Sequence, residues 1–301
     1  MSGKKILGTA CSAWLGWALL SAASFAAMGA CVRIASRGLP AAEVVFFRNF
    51  FALLTLLPLA LRQGVTLRTR VVHLHLLRAG SGLAAMYLYF HALARLPLAD
   101  AILLNYTSPL FIMVFAVFWL GEKMTAGQVR ALLLGSAGVV LLFHPSGAIA
   151  SPAGLMGLGS GMLAGLALAT VRRLSATEPS ARIVLYFALC ATAASLLPLP
   201  AVFVPPRPAE WGWLVAVGVL GSIGQLGLTC AYRLAPASQV SPLGYASLLF
   251  ASLIGFFAWG ERPDAPGVLG MLAIVAAGVV VARERREPLP APPGGVPEKR
   301  I

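Results

Sequence analysis

The sequence predicts an all-α integral membrane protein with ten transmembrane helices, arranged as two inverted five-helix repeats. Three observations predict this fold class: the composition, the spacing of long apolar runs, and an internal repeat. Of the 301 residues, 59% are hydrophobic and only 11% are charged, and the mean hydropathy is +0.85. Globular domains carry about 25% charged residues, so these polar side chains are too few to cover a surface in water. Lipid is therefore the expected solvent for most of the chain.

Ten apolar runs have the length that a membrane span requires, since a bilayer core of about 30 Å needs roughly 20 helical residues. The first run follows Lys4 and Lys5 and is longer than the core of a cleaved signal peptide. Residues 1–10 are therefore expected to be a cytoplasmic N-terminus before an uncleaved helix. Residues 285–301 are rich in Pro and Gly and predict a disordered cytoplasmic tail. The predicted spans are residues 11–32, 42–61, 79–95, 100–120, 128–143, 153–174, 183–203, 211–230, 239–259 and 267–282.

The positive charge of the chain indicates its orientation in the membrane. The formal net charge is +13, which in a soluble protein would suggest a nucleic-acid partner. Here the Lys and Arg residues fall in short clusters between apolar runs, and this distribution disfavours nucleic-acid binding. If the N-terminus is cytoplasmic, most of the basic residues between spans are cytoplasmic too, as the positive-inside rule requires. We expect a multi-pass protein of the cell inner membrane with both termini in the cytoplasm.

An internal repeat relates the two halves of the chain at a shift of 139 to 140 residues. Because each copy contains five predicted helices, an odd number, residues 153–284 must lie upside down relative to residues 11–143. Inverted repeats of this kind place a solute site between the halves, near the middle of the membrane. The clearest matches are Pro40 with Pro179, Tyr106 with Tyr245, Gly121-Glu122-Lys123 with Gly260-Glu261-Arg262, and Gly138-Val139-Val140 with Gly278-Val279-Val280.

The sequence lacks common signatures of catalysis and of nucleotide binding. The sequence contains no G-x-x-x-x-G-K-[ST] phosphate-binding loop, no H-E-x-x-H zinc motif and no G-x-S-x-G nucleophile motif. We therefore predict neither an enzyme nor a bound cofactor or metal ion. A membrane-embedded enzyme that acts on a lipid is an alternative, although the sequence offers it no nucleophile.

Arg48 is the most unusual polar residue of the predicted spans. It lies about 9 Å inside the second span at 1.5 Å of rise per residue, too deep for its charge to reach water easily. An ionisable residue at this depth either binds a solute group or has a partner within the protein. Glu43 lies five positions earlier, on a different side of the helix, so it is a poor partner. Binding of an anionic group and a structural bond to a neighbouring helix both remain open.

Polar and aromatic residues at the spacing of one helix face predict a cavity that offers hydroxyl groups, amides and rings to a solute. Interhelical hydrogen bonding is the alternative for many of them. His91 could also carry a proton, because its ordinary pKa lies in the physiological range. Besides Arg48, the candidate substrate-binding residues are Trp17, Ser21, Tyr87, His91, Asn105, Tyr106, Gln225, Tyr232, Ser241 and Tyr245.

These features together resemble the drug/metabolite transporter superfamily, EamA type. The resemblance is carried by the ten predicted helices, the inverted repeat, the run from Ala99 to Pro109, and the pairs Gly121-Glu122 and Gly260-Glu261. It implies a secondary transporter whose central cavity is lined by the first, third, fourth, sixth, eighth and ninth helices. It also implies membership of a family that includes exporters of amino acids and other metabolites, vitamin carriers and metallophore exporters.

On this basis we expect a carrier that exports a polar organic metabolite, such as an amino acid or a metallophore derived from one, by alternating access. A coupling proton or ion and a monomeric or homodimeric state are compatible with the sequence. An uptake carrier for a vitamin or another metabolite is one alternative. A passive channel is another, from a different functional class.

Overall fold

The computed structural model describes residues 3–93, 95–96, 98–143 and 150–283, and within these ranges the regular elements are helices, with no strand. The α-helices are α1 (Gly3–Ala35), α2 (Ala41–Arg62), α3 (Val72–Leu93), α4 (Leu98–Asn105), α5 (Ser108–Phe118), α6 (Ala126–Phe143), α7 (Pro152–Leu174), α8 (Ser180–Leu196), α9 (Leu199–Val202), α10 (Pro208–Leu234), α11 (Ala237–Val240), α12 (Ala246–Trp259) and α13 (Ala265–Arg283), and a 3-10 helix, Ser241–Tyr245, joins α11 to α12.

Within the described residues, eight helical stretches are long and apolar enough to cross a membrane. This confirms the prediction of an all-helical, multi-pass membrane protein. Two predicted spans fall outside these eight, those of α3 and α8. The first turns of α3 carry His73, His75 and Arg78, and α8 has only 17 residues.

The third helix begins earlier than the sequence predicts. It starts at Val72 instead of residue 79, so Arg78 lies inside the helix and not in a cytoplasmic loop. The prediction was wrong here because it read helices as apolar runs. A helix whose polar side chains face other protein helices needs no such run. The first helix is also longer than predicted, beginning at Gly3, while the predicted tail of residues 285–301 lies outside the described residues.

Prolines divide three of the predicted spans into shorter helices. The fourth span consists of α4 and α5, and Pro109 occupies the first turn of α5. Proline cannot donate the backbone hydrogen bond that would continue a helix. Near this break the Leu104 carbonyl oxygen accepts from the Thr107 hydroxyl at 2.6 Å and from the Thr107 N–H at 3.2 Å, so it has hydrogen-bond partners, as an apolar environment requires. Pro198 and Pro242 occupy corresponding breaks in the seventh and ninth spans.

Helices from the first and second halves of the chain interleave. The most extensive contacts join α1 to α10, α3 to α7, and α6 to α13, and α2 packs on both α8 and α10. Where α6 meets α13, a Cβ atom on Gly270 would lie 2.5 Å from the Gly138 carbonyl oxygen. Such close approach of two backbones requires small residues and supplies van der Waals contact that holds helices together in lipid.

Positions that the sequence repeat matches have the same local backbone geometry. Pro40 and Pro179 cap the N-termini of α2 and α8 with ψ angles of 144° and 143°. Gly121 and Gly260 have φ angles of +67° and +69°, in the left-handed region that glycine tolerates. The residue after each glycine donates its N–H to the carbonyl oxygen six positions earlier, Glu122 to Ala116 and Glu261 to Gly255.

Candidate functional site

Two buried arginines approach one aromatic ring in the interior of the bundle. The guanidinium carbon of Arg78 on α3 lies 4.0 Å from the ring centroid of Phe187 on α8. The corresponding atom of Arg48 on α2 lies 5.8 Å from the same centroid. The exposed fractions of the two residues are 9% for Arg48 and 4% for Arg78. We call Arg48, Arg78 and Phe187, together with the amides Asn49 and Gln225, the arginine-pair site.

Amide oxygens, and not carboxylates, receive the hydrogen bonds of these arginines. Arg48 Nη1 donates to Asn49 Oδ1 at 2.8 Å, and Arg78 Nη2 donates to Gln225 Oε1 on α10 at 3.0 Å. Neither arginine forms an ion pair within the part of the chain that the structure describes. Arg78 Nε and Asn49 Nδ2 are buried and have no hydrogen-bond partner. The site therefore holds two positive charges and two unused N–H donors.

Two glycines leave the space that the guanidinium groups occupy. A Cβ atom on Gly82 would lie 2.5 Å from Arg78 Nη1 and 3.3 Å from the Phe187 ring. A Cβ atom on Gly221 would lie 3.4 Å from Arg48 Nε. A Cβ atom at position 82 would therefore displace the Arg78 guanidinium group, whereas one at position 221 would meet Met28 Sδ at 3.1 Å and Arg48 Nε at ordinary contact distance.

Glu43 does not pair with Arg48. This agrees with the prediction from its position on a different side of the helix. Its Oε2 atom accepts a hydrogen bond from the Val204 backbone N–H at 2.9 Å. This bond joins the start of α2 to the segment that follows α9. A structural role for Glu43 at this end of the bundle accounts for its burial. It also leaves the charge of Arg48 uncompensated.

A second polar cluster lies beside the breaks between α4 and α5 and between α11 and α12. The hydroxyl groups of Tyr106 and Ser247 are 2.8 Å apart, and those of Tyr245 and Ser136 are 2.9 Å apart. The two tyrosine rings stack with centroids 6.4 Å apart. The structure therefore brings Tyr106 and Tyr245 together, but each hydroxyl already has a partner within the protein.

Other predicted residues lie in separate contacts between helices. Asn105 Nδ2 donates to Ser160 Oγ on α7 at 3.2 Å, and Ser21 Oγ donates to the Gly224 carbonyl oxygen on α10 at 2.8 Å. His91 contacts Arg95 one turn later, with Nδ1 and Nη1 2.7 Å apart. The bonds of Asn105 and Ser21 are interhelical, as the alternative interpretation predicts, whereas the His91 contact is local.

The remaining candidates differ in exposure. Trp17 and Tyr87 are 38% and 36% exposed, whereas Ser241 and Tyr232 are buried. Tyr232 packs in the largest hydrophobic cluster, about 10 Å along α10 from Gln225 at 1.5 Å of rise per residue. Of the predicted residues, the structure places Arg48 and Gln225 in one site and distributes the others elsewhere.

Arg78 is the site residue that sequence reasoning missed. Apolar residues flank it on both sides, including Leu76, Leu77 and Ala79. Helical periodicity, in place of an unbroken apolar run, would have extended the third helix over this position. Phe187 was also missed, because a phenylalanine in an apolar run carries no signal of its own.

Two ion pairs occupy repeat-related positions. Arg172 lies 139 positions after Arg33, and Glu261 lies 139 positions after Glu122, which is the shift of the internal repeat. Arg172 Nε lies 2.8 Å from Glu122 Oε1, and Arg33 Nη1 lies 2.6 Å from Glu261 Oε1. The side chains of the first pair are 11% and 4% exposed, and those of the second are 51% and 53% exposed. One pair is thus buried and its counterpart is open to the surroundings.

The buried pair is part of a larger network. Arg172 Nη1 also donates to the Tyr232 carbonyl oxygen at 2.9 Å, and Glu122 Oε2 accepts from the Ser238 N–H at 3.3 Å. The network therefore connects the end of α5 with α7, α10 and α11. The exposed pair connects only the end of α1 with the second residue after α12, and Arg33 Cζ lies 4.4 Å from the Trp259 ring centroid.

Comparison with known proteins identifies the family. The model of the EamA-like transporter family matches residues 12–144 and again residues 151–283. The chain is similar to the pseudopaline exporter CntI of Pseudomonas aeruginosa, with 35% identity over 89% of this chain and 95% of that protein. It is also similar to a riboflavin transporter of Vibrio cholerae, with 30% identity over 86% of this chain and 89% of that protein.

A crystal structure of another protein shows the same fold. It aligns with a TM-score of 0.78 at 21% identity, over 91% of this chain and 96% of its own. The family model covers nearly the whole described chain, as the resemblance in the sequence implied. The chain therefore belongs to the EamA-like transporter family, within the drug/metabolite transporter superfamily, and is a multi-pass membrane transporter.

Proposed function

We propose that this protein is a secondary transporter of the inner membrane that exports a polar organic metabolite by alternating access. The observation that carries the proposal is the contrast between the two repeat-related ion pairs. Glu122 and Arg172 are buried in a network of four helices, whereas Glu261 and Arg33 are half exposed. A carrier that opens to one side at a time requires equivalent contacts that are closed at one end and open at the other.

Inverted symmetry of the two halves is part of the proposal. Residues 11–143 and 153–284 are the two five-helix repeats when α3 and the pair α8–α9 are counted as spans. The double match of the family model supports this division. The pattern of contacts supports it too. The contact of α1 with α10 joins the first span of the first half to the third span of the second half, and the contact of α3 with α7 joins the third span of the first half to the first span of the second. The contact of α2 with α8 joins the second spans of the two halves, and the contact of α6 with α13 joins the fifth spans, so exchanging the halves leaves each contact unchanged.

Exchange of conformation between such halves converts one open side into the other. With both termini in the cytoplasm, the Glu122 end faces the cytoplasm and the Glu261 end faces outward. The conformation described here is then closed towards the cytoplasm. One copy of the chain contains both ion pairs and the arginine-pair site, so a monomer is sufficient for this cycle, and a homodimer would contain two such units.

Export is favoured over uptake by the relatives. The pseudopaline exporter shares 35% identity with this chain and the riboflavin transporter shares 30%. Pseudopaline is a named cargo of that relative, and a metallophore or another amino-acid derivative is the corresponding cargo proposed here. Uptake of a vitamin or another metabolite is the second candidate, and the similarity to the riboflavin transporter favours a vitamin as its cargo.

Metabolite profiling of medium and cytosol tests the direction and identifies the solute. Cells that overproduce the protein should accumulate one metabolite in the medium, and cells that lack it should retain that metabolite in the cytosol. The opposite redistribution would establish uptake. In proteoliposomes, unlabelled solute on the far side should accelerate entry of labelled solute. A passive channel would show no such counterflow.

A further inference from the structure

We propose that Arg48 and Arg78 bind an organic solute that carries two anionic groups, such as a dicarboxylate. This inference deepens the proposed function, because the solute bound there would be the one that is transported. The arginine-pair site combines buried charge, unused donors and an aromatic spacer in one place. Each of these three properties selects a feature of the solute.

The buried charge selects a dianion. Arginine stays protonated in proteins, and an unpaired ion in a dry interior costs several kcal/mol. The two guanidinium carbons lie 5.8 Å and 4.0 Å from one ring centroid, so their separation is at most the sum of these distances, about 10 Å. Like charges this close repel each other across a low-dielectric medium. A solute with two negative charges would neutralise both arginines, whereas a monoanion would leave one uncompensated.

The unused donors select an acceptor-rich solute. Arg78 Nε and Asn49 Nδ2 are buried and unpartnered, and both are N–H donors. The acceptors of the site, Asn49 Oδ1 and Gln225 Oε1, already receive hydrogen bonds from the arginines. Carboxylate and phosphate oxygens accept several hydrogen bonds each, and their geometry matches the planar fork of a guanidinium group. A cationic or purely donating solute would find no partner here.

The Phe187 ring, the aromatic residue of the site, selects the shape of the solute. The Phe187 ring packs against the Arg78 guanidinium group, has that of Arg48 5.8 Å from its centroid, and offers an apolar surface beside both charges. The anionic groups of the solute must therefore be joined by a body that tolerates an apolar contact. Short aliphatic dicarboxylates have this form. The glycines at positions 82 and 221 keep this region free of further side chains.

A purely structural role for the arginines makes a different prediction. If the two charges stabilised the helix bundle, their removal would lower its thermal stability. If they await a ligand, replacing them by glutamine removes an uncompensated charge and should leave the melting temperature unchanged or raise it. The two roles are thus distinguished by stability in the absence of ligand as well as by binding.

The test uses the purified full-length protein in detergent micelles. Malonate, succinate, adipate and citrate are titrated by calorimetry, with acetate as the monoanion and methylenediphosphonate as the phosphate-like dianion. We expect the best dicarboxylate to bind at least about tenfold more tightly than acetate, as the loss of one buried charge pair implies. Arg48→Gln and Arg78→Gln should each abolish this preference. Arg62→Gln, an exposed arginine on α2, is the matched control and should retain it.

Each outcome decides the proposal. A preference for dianions that disappears in both glutamine variants supports it, and tight binding of the diphosphonate alone would assign phosphate groups to the solute. Equal binding of acetate and dicarboxylates by the unmodified protein would overturn it, whether or not the variants fold. So would a dianion preference that survives in both variants. Arg78→Lys keeps the charge without the planar fork and should weaken binding while preserving the preference.

The same inference can fail while the proposed function stands. If profiling identifies an exported solute without two anionic groups, and Arg48→Gln still shows counterflow of that solute, the protein is a transporter whose cargo binds elsewhere. If instead dicarboxylates bind as expected but no solute shows counterflow, the binding site is real and alternating access is wrong.

Discussion

The two Gly-Glu sequences of this protein have one backbone geometry and two different environments. Gly121 and Gly260 follow α5 and α12 with nearly identical φ angles, and the glutamates after them make the same backbone hydrogen bond. Yet the Glu122 side chain is 4% exposed and that of Glu261 is 53% exposed. Local sequence determines how each helix ends, and the packing of the two halves determines whether the carboxylate is enclosed.

This difference has energetic consequences. An exposed ion pair contributes about 0–1 kcal/mol, because water and salt screen it. Removing one partner of a buried pair leaves an uncompensated charge and costs much more. The Glu122 end should therefore be held closed by a strong local network. The Glu261 end should be easily opened and closed, as expected for the side of a carrier that is accessible in this conformation.

The largest expected effect is that of Glu122→Gln. This change removes the negative charge beside buried Arg172 and replaces one of the two carboxylate acceptors, which receive Arg172 Nε and the Ser238 N–H, by an NH2 donor. The uncompensated charge of Arg172 should lower the free energy of unfolding by about 3–5 kcal/mol. Denaturation of the purified protein in mixed micelles, followed by tryptophan fluorescence, measures the change. A loss below about 1 kcal/mol, the ordinary value for an exposed pair, would contradict the burial of this network.

A smaller effect is expected from Glu261→Gln, the repeat-related substitution. Because both partners are half exposed, the free energy of unfolding should fall by less than about 1 kcal/mol. The same denaturation experiment serves both variants, so each is the control for the other. Equal losses in the two variants would remove the contrast between the two ends of the protein.

The smallest expected effect concerns salt. The Debye length falls from about 10 Å at 0.1 M to about 3 Å at 1 M ionic strength. Raising the sodium chloride concentration to 1 M should abolish the stability difference between the unmodified protein and Glu261→Gln. The difference for Glu122→Gln should persist, because buried charges are poorly screened. A salt response of similar size in both variants would indicate that water reaches the Glu122 network.

Much of this fold could be predicted from the sequence, because lipid requires helices of a certain length and the repeat preserves local signals. The helix-ending pair Gly121-Glu122 and its match at Gly260-Glu261 are examples. The arginine-pair site was only half predicted. Arg48 interrupts an apolar run and is conspicuous, whereas Arg78 lies one residue before the predicted third span of residues 79–95. An apolar run indicates residues in contact with lipid, and it gives no information about residues that face other helices.

Tyr232 illustrates a second limit of sequence reasoning. Helical spacing correctly indicates that it shares a face of α10 with Gln225, but a face extends along the whole helix. The depth at which a cavity ends depends on the neighbouring helices. Here Tyr232 packs among residues of the hydrophobic core beside Arg172, while Gln225 contacts Arg78. Helical periodicity therefore predicts the face of the helix on which a side chain lies, and tertiary packing decides which positions on that face share a site.

Sided labelling of cysteines tests alternating access by inverted halves most directly. In a variant without the native cysteines, Ser36→Cys lies near the Glu261 pair and Lys123→Cys lies beside Glu122. A membrane-impermeant maleimide should label position 36 in intact cells and position 123 only after the membrane is opened. Ser238→Cys, buried in the Glu122 network, should become reactive from the cytoplasmic side when transported solute is added. Labelling of positions 36 and 123 from the same side would contradict the account.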